Sequence, residues 1–249
     1  MKIFSVKLGY IIIFLVLGLA VIYILFGKGT IEAFRCGNRN LPIYSVERND
    51  TCLALTFNCA WNDDDMEEIL KLLDKYNAKC TFFVVGEWAE KYPESLKKIA
   101  NAGHEIGSHS YSHSDYTTLT NEQIAEDIKK TSSVIYKAVS VFPSLVRVPS
   151  GAYNSRAVTA IEDCGCIPVQ WSVDSIDYAA QSCEEIFTRA SRAVPGDIIL
   201  MHNGTRFTAS ALARLLDSLS SKYKLVTVSE LLYNDNFYVD PSGKMKMKQ

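Results

Sequence analysis

Two histidines four residues apart, His109 and His113 in the run His-Ser-Tyr-Ser-His, are the strongest chemical signal in this 249-residue chain. Imidazole suits a borderline divalent metal such as zinc, and an i, i+4 pair on one helical turn can aim both rings at one ion. Two histidines do not complete a site. Other reactive types stand just after apolar runs elsewhere: Asn58, Cys59 and Trp61; Arg147 with Ser150 and Tyr153; Trp171, Asp174 and Asp177; His202 and Asn203.

The elements that must position these residues follow a repeating rhythm. Short apolar runs at 52–57, 81–85, 105–106, 145–148, 167–170, 197–201 and 224–228 read as strands. Amphipathic stretches at 63–76, 87–102, 121–139, 155–163, 183–193 and 208–222 read as helices. Thr120 before Asn121-Glu122-Gln123 has the form of a capping box. Asp63, Asp64 and Asp65 suit an acidic first turn that complements the helix dipole. Strands alternating with helices predict a mainly parallel sheet, either open or closed into a barrel. The reactive residues then fall on five strand ends, the face where barrel enzymes build their active sites. No Gly-rich phosphate loop follows the first strand, which argues against nucleotide binding.

Composition narrows the class. The 26 basic and 28 acidic residues leave a formal charge of −2, with no basic excess for a nucleic-acid partner. The run from Leu8 to Phe26 carries no charge and has about the length that crosses a bilayer. No small-residue cleavage pattern follows it, so an uncleaved signal anchor is expected, with the remainder of the chain outside a cell membrane it crosses once. The organisation expected is a cytoplasmic tip and anchor at 1–27, a linker at 28–50, a catalytic domain at 51–232 and a frayed tail at 233–249. Seven cysteines at scattered spacings do not form a disulfide framework. His104 reads as structural, and Trp88 as a core residue of a helix.

In this order the motifs resemble the polysaccharide deacetylase family with its NodB-type domain, over about residues 50 to 232. His109 to His113 match the family's His-Ser/Thr-x-x-His. Arg147 to Gly151 match Arg-x-Pro-Tyr/Phe-Gly with Ser150 in place of the aromatic. Asp174 to Tyr178 look like its Asp-x-x-Asp-Trp stretch, and Leu200-Met201-His202 matches Leu-x-His. The first motif departs, since Thr-Phe-Asp-Asp-Gly stands here as Thr56-Phe57-Asn58-Cys59-Ala60. That pattern, with Trp61 and acidic residues after it, resembles a sporulation-associated subgroup.

The resemblance implies a distorted seven-stranded α/β barrel, (β/α) in its repeat, that removes N-acetyl groups from amino-sugar polymers, most plausibly peptidoglycan. It implies a divalent metal, zinc by preference, on His109 and His113, a general acid at His202, electrostatic support from Asp174, and Arg147 orienting the base. The base position is Asn58, whose amide has no useful proton affinity; losing a positioned base costs about 10²–10⁴-fold in rate. Cys59 holds the third metal-ligand position, where a thiolate could serve zinc or the side chain could simply pack at the rim. Another carboxylate could substitute for the base: Asp63, Asp64 and Asp65 lie near in sequence, and Asp174 belongs to the inferred catalytic face. Trp61, Ser150, Tyr153, Trp171 and Asn203 are expected along the glycan groove. The alternative function is a glycan-binding pseudoenzyme at the cell or spore surface.

Overall fold

The computed structural model describes residues 40–248. The expected membrane anchor at 8–26 therefore lies outside the described residues. Among those described, no helix is long and apolar enough to cross a membrane.

Eight strands form one parallel sheet. Numbering strands along the chain, Ser45–Val46 is β1 and the sheet holds β2 (Cys52–Cys59), β3 (Thr81–Val84), β4 (Glu105–Ser108), β5 (Leu145–Val146), β6 (Ile167–Pro168), β7 (Val173–Asp174), β8 (Ile198–His202) and β9 (Lys224–Val226). Their order is β6-β5-β4-β3-β2-β8-β7, with β9 beside the first residues of β2. All seven expected strands are present. β7 is an addition, cut from what the sequence presented as a loop.

β2 explains the layering. Leu53, Leu55, Phe57 and Cys59 pack outward in one core cluster with Met66, Ile69, Leu212 and Leu216 of the helices. Ala54 packs inward with Phe83, Leu145 and Ile198. A strand alternates its side chains, so Thr56 and Asn58 share the inward face with Ala54. Burial on both faces is why the sequence shows an almost unbroken apolar run here.

The helices are α1 (Met66–Lys75), α2 (Gly86–Lys91), α3 (Pro93–Asn101), α4 (Asn121–Val139), α5 (Ser155–Asp163), α6 (Cys183–Ala190), α7 (Thr208–Ser220) and α8 (Val228–Leu231). Thr120 and Gln123 form the capping box at α4. Pro93 divides the stretch expected as one helix, because the ring lacks the N–H an interior position donates.

Two expectations are corrected. The sheet does not close as a seven-stranded barrel, since its path ends at β6 and β7. Between these ends lies the chain around β1: Ile43 pairs with Val169 and Ser45 bridges Asp197. The C-terminal segment is also not a frayed tail. Phe237–Val239 (β10) and Lys244–Met247 (β11) form an antiparallel pair, and β11 runs parallel to β1 as a second, three-stranded sheet. Met245 is 1 % exposed, which explains why this basic segment stays ordered.

Candidate active site

The histidine loop leaves β4 without forming the helical turn its spacing suggested. His109 continues the strand by donating its N–H to the Val84 carbonyl at 2.9 Å. Ser110 and His113 then take positive φ of 66° and 58°. Such backbone is uncommon for a bulky residue and needs external support. Asp127 of α4 supplies it, accepting from the Tyr111 N–H at 3.0 Å, the Ser110 hydroxyl at 3.2 Å and the Tyr116 hydroxyl at 2.5 Å. The two imidazoles do meet, with ring centroids 5.1 Å apart at 80°.

His109 is 1 % exposed, and its Nδ1 lies 2.7 Å from the Arg147 carbonyl. A carbonyl only accepts, so Nδ1 carries the proton and Nε2 keeps its lone pair. Burial pushes the His109 pKa well below the usual histidine value, and burial with the nearby His202 also lowers that of His113. Both rings are neutral at pH 7.

Arg147 is wholly buried behind the mouth. Its Nη1 donates to Thr56 Oγ1 at 2.9 Å and to Asn58 Oδ1 at 3.0 Å, and its Nη2 donates to the Gln170 carbonyl at 3.1 Å. The guanidinium lies over the Phe83 ring, 3.9 Å from its centroid. Burial pulls its pKa down to about 9 against the opposing charge of Asp174. Every direct hydrogen-bond partner of the guanidinium is neutral.

His202 is held by Asp177 rather than Asp174, a correction to the expected pairing. Asp177 accepts from His202 Nδ1 at 2.7 Å, from the His202 N–H at 2.6 Å and from Thr208 Oγ1 at 2.6 Å. A carboxylate on Nδ1 fixes the ring and turns Nε2 toward the mouth, the arrangement of a general acid. Asp174 lines the mouth and accepts from the Ile176 N–H at 2.8 Å.

These side chains surround a cavity of about 470 Å³ lined by Asn58, Trp61, His109, His113, Ser150, Trp171, Asp174, Tyr178 and His202. Trp61 is 50 % and Tyr178 54 % exposed, and each ring centroid is 5.4 Å from that of His202. Two exposed aromatic faces beside the His202 imidazole form walls on which a sugar ring can stack. Trp171 also closes over Gly151, where an added Cβ would come within 3.1 Å of the indole.

Three expected residues are elsewhere. Asn203 is fully buried and donates to the Asn62 carbonyl at 2.5 Å, tying together the loops after β8 and β2. Tyr153 bonds Tyr44 hydroxyl to hydroxyl at 3.0 Å and does not line the mouth. Cys59 is fully buried on the outward face of β2; burial and the negative charge of Asp65 push its thiol pKa well up. Asp127 belongs to none of the motifs, and Asp177 and Tyr178 stood within the Asp174–Tyr178 stretch with no role of their own. Asp65, expected in an acidic first turn or as a stand-in carboxylate, instead accepts with both oxygens from the Gly204 N–H, at 2.8 and 2.9 Å, bracing the His202 loop.

The donor set does not fit the metal centre that the resemblance implies. A catalytic zinc takes three protein ligands. Here His109 and His113 converge, Asn58 offers an amide already bonded to Arg147, and Cys59 faces the core. Among the described residues no three His, Cys, Asp or Glu side chains converge on one point.

The polysaccharide deacetylase family model matches residues 45–169, and a peptidoglycan-N-acetylglucosamine deacetylase of Bacillus cereus (strain ATCC 14579) is 33 % identical over 203 residues, 78 % of this chain and 73 % of that protein. The chain belongs to the polysaccharide deacetylase family. "Uncharacterized protein YlxY" of Bacillus subtilis (strain 168) is 36 % identical over 193 residues, covering 77 % of this chain and 60 % of that relative. Among solved structures the chain is similar to BA3943 of Bacillus anthracis, a CE4 family pseudoenzyme, with a TM-score of 0.73, 32 % identity and coverage of 77 % of this chain and 69 % of that one. A BA3943 mutant with restored enzymatic activity has the same TM-score of 0.73 at 32 % identity, covering 77 % of this chain and 71 % of that one.

Proposed function

We propose that this family member binds N-acetylated amino-sugar chains of peptidoglycan type in its mouth and holds them without efficient hydrolysis. The observation that carries the reading is the state of the first-motif pair: Asn58 presents a bonded amide and Cys59 points into the core. Among the described residues no third His, Cys, Asp or Glu converges with the two histidines, and no carboxylate stands at position 58. The aromatic walls Trp61 and Tyr178 and the open-mouthed cavity between them are what a sugar chain requires. The substrate class follows the names of the bacterial deacetylase relatives, and the pseudoenzyme relative supplies a precedent for loss of turnover. An extracytoplasmic site, tethered through residues 8–26, matches a cell-wall or spore-wall ligand.

A deacetylase reading is favoured by one observation, the intact His202–Asp177 pair. Sedimentation with acetylated peptidoglycan and acetate release on added zinc, each for wild type and His202→Ala, separate the two. Binding by both proteins, with equal background acetate, supports the binder. Acetate release by wild type that His202→Ala abolishes overturns it in favour of the enzyme.

A further inference from the structure

The amide of Asn58 has a fixed orientation. Arg147 can only donate, so the Asn58 atom 3.0 Å from its Nη1 is the oxygen. Nδ2, with its two hydrogens, therefore turns away from the guanidinium, and it bonds to no other described residue. Asn58 is 5 % exposed, and that exposure opens into the mouth. A carboxylate at this place would present an acceptor, whereas the amide presents a donor.

His109 provides the complementary group. Its Nδ1–H is committed to the Arg147 carbonyl at 2.7 Å, so its Nε2 is an acceptor on a ring that lines the same cavity. The acetamide of an N-acetyl amino sugar carries one acceptor, the carbonyl, and one donor, the N–H. A deacetylated sugar offers an ammonium, which only donates and finds nothing to accept from it at Asn58 Nδ2. Asp174 also lines the mouth and favours an ammonium, but one of its oxygens is engaged by the Ile176 N–H and its charge is opposed by Arg147.

Given the glycan-binding role above, we infer that Asn58 is a specificity-determining residue that donates from Nδ2 to the acetamide carbonyl, so that the mouth selects acetylated over deacetylated glycan. In this protein the substitution that removes the base is a reader of the acetyl group.

Calorimetric titration of the full chain, with EDTA present, against chitotetraose and its fully deacetylated counterpart tests this. Wild type is expected to prefer the acetylated tetramer by about tenfold, the scale of one unmatched buried hydrogen-bonding group. Asn58→Asp is expected to lower chitotetraose affinity about tenfold and to strengthen binding of the amine. Asn58→Leu, which removes the donor without adding charge, is expected to weaken chitotetraose alone. Equal binding of the two tetramers by wild type, or a preference that survives in Asn58→Asp, overturns the role of Asn58 and leaves glycan binding standing. Binding of neither tetramer overturns both.

Discussion

Asn58→Asp is expected to stabilise the domain. The substitution puts a carboxylate 3.0 Å from Nη1 of a wholly buried guanidinium whose present direct partners are all uncharged. Two unit charges at that distance attract by about 5 kcal/mol at an effective dielectric of about 20. Drawing the new carboxylate out of water opposes this by several kcal/mol, and the neutral bond it replaces was worth about 1 kcal/mol. The net gain is about 1–2 kcal/mol, which in a domain of this size raises Tm by about 2–8 °C. The pH dependence gives a second check. Arg147 has a folded pKa near 9, below its usual value, so above pH 9 the unfolded chain binds more protons and this group contributes increasing stability to wild type. In the variant the carboxylate keeps the guanidinium charged and forfeits that contribution. The difference in Tm is therefore expected to shrink between pH 8 and pH 10. Thermal melts of both proteins across this range measure it. A variant less stable than wild type at pH 8, or a difference that widens with pH, would refute the account of Arg147 as a charge lacking its partner.

Cys59→Ser is expected to leave zinc content after equilibrium dialysis unchanged; a fall in bound zinc would bring the thiol into the ligand set. Asp177→Asn is expected to cost about 2–4 kcal/mol in urea unfolding, because three donors lose their charged acceptor, and a cost under 1 kcal/mol would deny the pairing its structural weight. Burial lowers the His104 pKa to about 4, so the folded state resists protonation. His104 is expected to contribute a fall in stability from about pH 6.5 down to about pH 4, on a limb shared with His109 and His113, and His104→Gln should make that limb of the urea-midpoint profile shallower.

The fold was legible where physics is local or repetitive. The apolar runs of β2, β3 and β8 stand out because both faces are buried, and Thr120 announces α4 by its own hydrogen bonds. The clasp of β1, β10 and β11 was not legible, since Lys-Met-Lys-Met reads as a solvated tail until Met245 has a pocket to enter. Within the site, types and strand ends were readable but side-chain direction was not fully used. Adjacent residues of a strand face opposite ways, so Asn58 and Cys59 could not both face the mouth without a break in β2. Asp177 displaced Asp174 because the partner of His202 is chosen by the turn after β7, where Ile176 takes a φ of 52°, and no pattern of residue types encodes that turn.

The clasp also has a mechanical meaning. Asn40 is fastened to Thr159 and Glu162 of α5, and the chain then runs parallel to Val169 and to β11 before entering β2. A pull on the chain ahead of Asn40, resisted by a ligand held at the mouth, draws this segment lengthwise along its neighbours. The hydrogen bonds of Ile43, Tyr44 and Val46 are then loaded together in shear instead of being opened one after another as in peeling. Under such a pull the C-terminal strand would take tension at the point where the chain enters the domain, before it reached the strand that carries Asn58.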